Sequence, residues 1–326
     1  LKKLKWGIVG TGKIVNKMGP AIQMNHLNEW VGVAGRNKQN SLLAANRYGV
    51  KKAYEHYDEL IRDPEVDVVY IALLNHLHKE WAIKAIEAGK HVLIEKPLGL
   101  SEGECQEVKA VLGNKPLKVM EAFAWRFHPA HLRVKEIIDS GEIGEPVLFN
   151  GHFSFIPESN STRFNPDWGG GSLYDVGCYP ISWARFFMNG EPTEADGKLI
   201  VNKANGVDLR FVGLLHFANG RFAQVSSSFD MPHGSFYEIL GTKGKIATNF
   251  RITANSFAID VLKNKKLIQS FESDRVMPYR YQVNYFTDCL INHQPLDFPI
   301  DDAINNLRVM DALKLSSATG KRIKLH

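Results

Sequence analysis

Three side chains stand in settings that suit acid–base chemistry: Lys96, Asp175 and Tyr179. Lys96 lies in Glu95-Lys96-Pro97, at the end of the apolar run 91–95. A lysine at the carboxyl end of a parallel strand sits where open α/β sheets bind ligands. The proline behind it demands an extended residue before it and admits a cis bond that would fix the lysine's direction. Asp175 and Tyr179 follow Gly169-Gly170-Gly171-Ser172. A helix starting at about Ser172 places them at i and i+4, on one face. An alcohol gives up a hydride only if its hydroxyl proton leaves too. A tyrosine, with an ordinary pKa of about 10, is a poor base unless a nearby cation stabilises the phenolate. Lys96 would supply that cation and polarise the substrate oxygen, with Asp175 orienting the substrate or the lysine. Residue types alone leave the alternative open: a capping or core tyrosine, a solvated carboxylate and a surface lysine.

A second constellation points to the partner such chemistry needs. Trp6-Gly7-Ile8-Val9-Gly10-Thr11-Gly12-Lys13-Ile14 stands where a first strand turns into a first helix. Gly10 permits the tight turn, and Gly12 lets the backbone approach a pyrophosphate on the helix N-terminus. The third small residue of the usual fingerprint is absent, because position 15 is valine. At the end of the second strand the chain reads Val33-Ala34-Gly35-Arg36-Asn37, with no carboxylate for a ribose 2′-hydroxyl. Arg36 carries a planar, permanent cation suited to a 2′-phosphate. This favours NADP(H), with NAD(H) as the alternative; a solvated loop arginine is the competing reading.

The elements that must position these residues fall into two patterns. Up to residue 122, short apolar runs at 6–9, 29–34, 67–73, 91–95 and 118–122 alternate with helical stretches such as 78–88. Nearly continuous apolar strands are those buried on both faces. Ser101 and Glu104 suggest a capping box for the next helix. The expectation is a doubly wound parallel sheet of Rossmann type over 1–122. After a helix at 129–140 the grammar changes. Segments 209–217 and 221–229 alternate around Asn219-Gly220, a strong hairpin signal, and further hairpins are expected around 242–245 and 263–266. Residues 123–326 thus read as an α+β domain with an open, mostly antiparallel mixed sheet. Helices at 281–292 and Ile300–Thr319 are expected to pack back on the first domain.

Composition excludes several classes. The 326 residues are 44% hydrophobic and 23% charged, and the +5 net charge is spread without a block of like sign. Nothing suggests a nucleic-acid or membrane surface. Cys105, Cys178 and Cys289 lie far apart, which argues against a disulfide framework or structural zinc and for a reducing, cytoplasmic setting. No signal-like apolar segment opens the sequence. His76, His78, His91, His128, His131 and His152 show no metal-ligand spacing, so no metal is expected. No GxSxG elbow or Cys–His pair suggests acyl chemistry.

Over essentially its whole length the sequence resembles the glucose–fructose oxidoreductase/inositol dehydrogenase/MocA family. The resemblance rests on Gly7-x-x-Gly10-x-Gly12, Asn75-x-x-His78, Glu95-Lys96-Pro97, Arg126-Phe127-His128-Pro129 and Gly169-Gly170-Gly171-Ser172-Leu173-x-Asp175-x-Gly177-x-Tyr179. The last two motifs look most like the branch of dimeric dihydrodiol dehydrogenases and NADP-dependent D-xylose dehydrogenases. The resemblance implies hydride exchange with a sugar, polyol or related diol, Lys96 holding the reacting oxygen, and Asp175 and Tyr179 as the second catalytic pair. Many relatives have histidine in place of Tyr179. It also implies that Leu73, Asn75 and His78 line the cofactor with Thr11, Lys13, Ile14, Asn37, Glu95 and Pro97. Trp125 and Arg126 would meet nicotinamide and substrate, and Phe153 would wall the substrate pocket. Alternatives stay open for several: His78 as a helix residue without ligand contact, Trp125 as interdomain packing, Phe153 and Phe155 as core, and Arg163 as an anion contact. A homodimer or larger assembly through the second sheet is implied as well. Two other activities use such a fold, an NADP-sensing regulator without catalysis and an NAD-dependent glycosidase.

Overall fold

The computed structural model describes residues 3–251, 256–272 and 277–325. The first stretch runs β1 (Leu4–Val9), α1 (Val15–Met24), β2 (Asn28–Ala34), α2 (Lys38–Tyr48), β3 (Lys52–Tyr54), α3 (Tyr57–Arg62), β4 (Val68–Ile71), α4 (His78–Glu87), β5 (His91–Ile94), α5 (Glu102–Leu112) and β6 (Val119–Glu121). These six strands pair in parallel in the order β3-β2-β1-β4-β5-β6. The order reverses direction between β1 and β4, and at such a switch point the strand ends open a crevice for a ligand. Ile8, Val33, Val69, Tyr70, Leu93 and Ile94 are fully buried, as continuous apolar strands between two helical layers must be. The expected Rossmann architecture is borne out. The sequence reading missed β3, whose three residues form an edge strand too short and too polar to show a pattern.

There follow α6 (Pro129–Asp139), β7 (Pro146–Ser154), α7 (Cys178–Phe187), β8 (Glu194–Val201), β9 (Asp208–Phe217), β10 (Arg221–Ser228), β11 (Gly234–Gly241), β12 (Lys245–Arg251), β13 (Ser256–Lys263) and β14 (Lys266–Glu272). The chain closes with α8 (Pro278–Ile291), α9 (Ile300–Thr319) and β15 (Ile323–Lys324). The second sheet has the order β14-β13-β12-β11-β7-β10-β9-β8-β15. β7 and β10 are parallel; the other pairs among the described residues are antiparallel. The mixed, mostly antiparallel sheet was thus legible. Asn219 and Gly220 take φ of +61° and +71°, the left-handed pair that a tight hairpin needs.

Two compact units result. One comprises Leu1–Phe127 with Met277–Ile304, the other His128–Val276 with Asn305–His326. α8 buries Val283, Phe286 and Leu290 in the core of the first unit, where Phe286 meets Trp6 edge-on at 6.0 Å. It starts earlier than its apolar pattern suggested, because Pro278 provides the first helical residue. α9 departs from the expectation that both terminal helices join the first domain. Its larger part lies on the second sheet: a Cβ at Gly197 or Gly213 would touch Leu313, and Ser316 Oγ accepts from Gly197 N at 2.9 Å.

Candidate active site

In the first unit the glycine turn lies at the switch point. Gly10 has φ +113°, and a Cβ on it would overlap the carbonyl of Ala72, just beyond β4. Only glycine fits there. A Cβ on Gly12 would meet nothing within 4 Å, so this stretch of backbone is open to close approach by a ligand. Thr11 and Ile14 are half-buried; Lys13 is exposed. The turn after β2 packs against it, since a Cβ on Gly35 would lie 3.0 Å from Thr11 Cγ2. Ser41 fixes that second turn by accepting from Gly35 N at 2.7 Å and donating to Asn37 O at 3.1 Å. Asn37 caps α2 by accepting from Asn40 N, which uses its side chain within the protein. Arg36 projects exposed beside the glycine turn.

Lys96 sits on a loop anchored at three points. His78 Nδ1 meets Pro97 O at 2.6 Å, Glu121 Oε1 accepts from Leu98 N at 2.9 Å, and Glu104 Oε2 accepts from Leu100 N at 2.7 Å. The last is half of the anticipated capping box, reaching one residue further back than usual; Ser101 Oγ supplies the other half to Glu104 N. The Lys96–Pro97 bond is cis. His78 is fully buried, with Nε2 3.1 Å from Leu73 O. Burial pushes its pKa down to about 4 and the charge of Lys96 adds to this, outweighing two carbonyls that favour the charged ring. At neutral pH the ring therefore carries one N–H, which the shorter contact assigns to Pro97 O. That bond ties the start of α4 to the lysine loop and holds the His78 ring within the protein. Asn75 opens a short 3-10 turn and is half-buried.

Glu95 accepts from the hydroxyl of buried Tyr70. Tyr279, at the start of α8, feels both Glu95 and Lys96, and burial raises its pKa to about 12. Glu121 and Tyr279 are site neighbours that the sequence reading missed. Trp125 and Arg126 fall in a buried 3-10 turn, Ala124–Phe127. Arg126 pairs with Asp302 at 2.5 Å and lies over the rings of Phe123 and Phe298 at 4.8 and 4.6 Å. Stranding a buried cation costs about 3–5 kcal/mol. Arg126 thus has buried partners within the first unit.

In the second unit the glycine run is shaped by the protein itself. A Cβ on Gly170 would overlap Arg163 O, and one on Gly171 would overlap the carboxylate of Asp208. Gly171 also has φ +115°. The helix behind the run begins as a π turn, Leu173–Gly177, before α7 takes over. Asp175 and Tyr179 thus straddle a change of helical pitch, which corrects the simple i, i+4 face. π turns of this kind recur at functional sites. Gly177 lets the wide turn lie against the sheet, since a Cβ there would come within 2.9 Å of Ser227 Oγ.

Asp175 accepts from Arg163 Nε at 2.5 Å, so Arg163 serves the carboxylate here. The half-buried ring of Tyr179 packs edge-on against Phe153 at 5.3 Å, and Phe153 stacks on Trp183 at 8° and 6.3 Å. Phe153 and Trp183 also line a cavity of about 210 Å³ with His131, His233, Ser235, Phe236, Tyr237 and Thr248. Among the described residues, no Asp, Glu, Lys or Arg lines it. Tyr237 OH and His131 Nδ1 share a hydrogen bond of 2.8 Å, and burial lowers the pKa of His131 to about 3 while raising that of Tyr237, so both are neutral. Phe155, by contrast, packs on Phe229 under the guanidinium of Arg163.

Comparison with known proteins agrees with this geometry. Residues 4–123 match the oxidoreductase family with NAD-binding Rossmann fold, and residues 131–247 match the GFO/IDH/MocA C-terminal domain. D-xylose 1-dehydrogenase (NADP(+)) 2 of Haloferax volcanii is 33% identical over 99% of this chain and 100% of its own. Trans-1,2-dihydrobenzene-1,2-diol dehydrogenase of Xenopus tropicalis is 30% identical over 74% of each chain. Among solved structures, a 3-ketoreductase from Actinomadura kijaniata in complex with NADP and TDP-benzene superposes with a TM-score of 0.89 at 26% identity, covering 97% of this chain and 98% of that one. Aldose-aldose oxidoreductase from Caulobacter crescentus shares the fold, with a TM-score of 0.91 at 22% identity over 99% and 100% of the two chains. With both domain models matched in order and a relative similar from end to end, the chain belongs to the GFO/IDH/MocA family of oxidoreductases.

Proposed function

We propose that this oxidoreductase uses NADP(H) to exchange a hydride with a CH–OH or C=O carbon of a neutral sugar, polyol or trans-diol. The observation that carries the reading is Lys96 on its triply anchored loop, at the same strand ends as the open backbone of Gly12. Exposed Arg36, where the fold commonly carries an acid, supports NADP over NAD. The named cofactors of the Haloferax and Actinomadura relatives support it too. The cavity beside Tyr179 has aromatic walls and, among the described residues, no carboxylate, lysine or arginine, which suits a neutral ring-shaped substrate. Three free, buried cysteines suit a cytoplasmic setting.

The glycine turn and Arg36 would hold NADP(H), which would supply the hydride acceptor or donor. The chain's residues handle the oxygen and its proton. Lys96 draws charge onto the substrate oxygen and stabilises it as the hydroxyl proton departs. Tyr179 takes or returns that proton, and Asp175, braced by Arg163, orients the reacting group. Lys96→Met should lower kcat by about 10²–10⁴-fold while NADP binding, read by fluorescence titration, stays near wild type. Undiminished turnover would sink the assignment. The same assay with NADP and NAD tests Arg36: equal kcat/KM for the two would remove its 2′-phosphate role.

We further propose a homo-oligomer formed through the face of the second sheet that carries Val212, Phe222 and Phe236. Strand register sets these three on one face, and they are 61%, 38% and 46% exposed. Sedimentation should give at least a dimer; a monomer at micromolar concentration would refute this.

A further inference from the structure

The residue that shapes the turn before Asp175 and Tyr179 lies far from it in sequence. Asp208, the first residue of β9, is 8% exposed. Its Oδ2 accepts from Ser172 Oγ at 2.7 Å and from Leu173 N at 2.8 Å. Ser227 Oγ on β10 in turn donates to Ser172 Oγ at 3.1 Å. Asp208 Oδ1 occupies the space that a side chain on Gly171 would need.

The first amides of a helix have no partner within the helix, and a cap normally comes from the residue just before it. Here that residue, Ser172, already has helical φ/ψ (−68°, −32°) and makes no cap of its own. Its hydroxyl is given to Asp208, and the carboxylate caps the π turn from a neighbouring strand. The start of the turn is thereby fixed to the sheet at both Ser172 and Leu173. Everything carried by the next two turns, Asp175 and Tyr179 included, inherits its direction from those two bonds. Keeping a carboxyl in this spot works against desolvation, which raises its pKa to about 6 despite the hydrogen bonds it accepts. Tyr174, whose hydroxyl accepts from Lys314 Nζ at 2.6 Å, also feels the Asp208 charge.

We propose that Asp208 is a positioning residue for the reaction, clamping the π turn so that Asp175 and Tyr179 point at the substrate. This rests on the reading that Asp175 and Tyr179 carry the chemistry. Asp208 itself is buried among Ser172, Leu173 and Gly171 and acts through them.

The test compares Asp208→Ala, Asp208→Asn, Ser172→Ala and Tyr179→Phe in steady-state kinetics, with circular dichroism as a check on folding. Misplacing a reacting group by about 1 Å costs on the order of 10²-fold. Asp208→Ala should therefore lose about 10² in kcat, with the Kd for NADP unchanged because the cofactor turn lies in the other unit. Asp208→Asn keeps an oxygen acceptor for both donors and should recover most of the loss. Ser172→Ala, which leaves the Leu173 bond, should fall between them and serves if Asp208→Ala does not fold. The inference is overturned if Tyr179→Phe is inactive while Ser172→Ala and Asp208→Ala keep kcat within about twofold of wild type. Equal losses in the Ala and Asn variants would also overturn it, since charge rather than the clamp would then matter. Full activity in Tyr179→Phe would instead refute the underlying reading.

Discussion

A side chain on Gly12 would project into open space, whereas one on Gly170 or Gly171 would strike Arg163 O or the Asp208 carboxylate. Both runs stand immediately before a helix, and both look in the sequence like places where backbone approaches a ligand. In the first run Gly12 stays clear of the protein. In the second, the space at Gly170 and Gly171 is filled by the chain's own carbonyls and by a carboxylate from β9. A glycine run thus has two physical causes, access for a ligand or close approach of other protein atoms, and residue type does not separate them.

The largest effect that would break this comparison is on folding. Gly171→Ala adds a methyl where Asp208 already lies, at a φ of +115° that side chains avoid. We expect a loss of about 3 kcal/mol or more, read as a fall in Tm of roughly 6–12 °C. Gly12→Ala meets no atom within 4 Å and should leave Tm nearly unchanged. Its effect should appear in the Kd for NADP, weakened by about tenfold or more because the added methyl keeps the pyrophosphate off the backbone. A stable Gly171→Ala, or a Gly12→Ala whose Tm falls while its Kd for NADP stays at the wild-type value, would reverse the assignment of the two runs.

The same contrast explains how far the sequence could be read. The Rossmann half was legible because its other strands are largely buried on both faces and show as apolar runs; β3, a three-residue edge strand, shows none. The hairpins were legible because their turns need left-handed residues such as Asn219 and Gly220. Lys96 was found from a local motif, but its anchors were not. Glu121 lies 23 residues away, and nothing in its own neighbourhood marks it as a partner of Leu98. The motifs that carry His78 and Arg126 give no sign of the partners these side chains take in the fold. Burial against Pro97 O in one case, and pairing with Asp302 in the other, are tertiary facts without a local signature. Asp208 escaped for the same reason, being 36 residues from Ser172. The π turn escaped because no residue pattern separates it from the α-helix that follows.

The smallest expected effect compares the two buried anchors, His78 beneath the lysine loop and Asp208 beneath the tyrosine turn. Burial moves them in opposite directions, His78 down to about 4 and Asp208 up to about 6. An ordinary histidine has a pKa of about 6.5 and an aspartate about 3.9. For His78 the unfolded chain binds a proton that the folded chain refuses. Its contribution is present above pH 6.5 and is lost as pH falls toward 4. For Asp208 the folded chain holds the proton longer than the unfolded one. Its contribution is greatest below about pH 4 and is lost as pH rises through 6. Urea midpoints from pH 4 to 7 should therefore show wild type losing ground to Asp208→Asn as pH rises, since the amide has no proton to release. The slope can be no more than one proton's worth. A difference that stays flat across this range would mean that the Asp208 carboxylate is as well solvated by Ser172 and Leu173 as by water, and that the closed glycine run carries no buried-charge penalty.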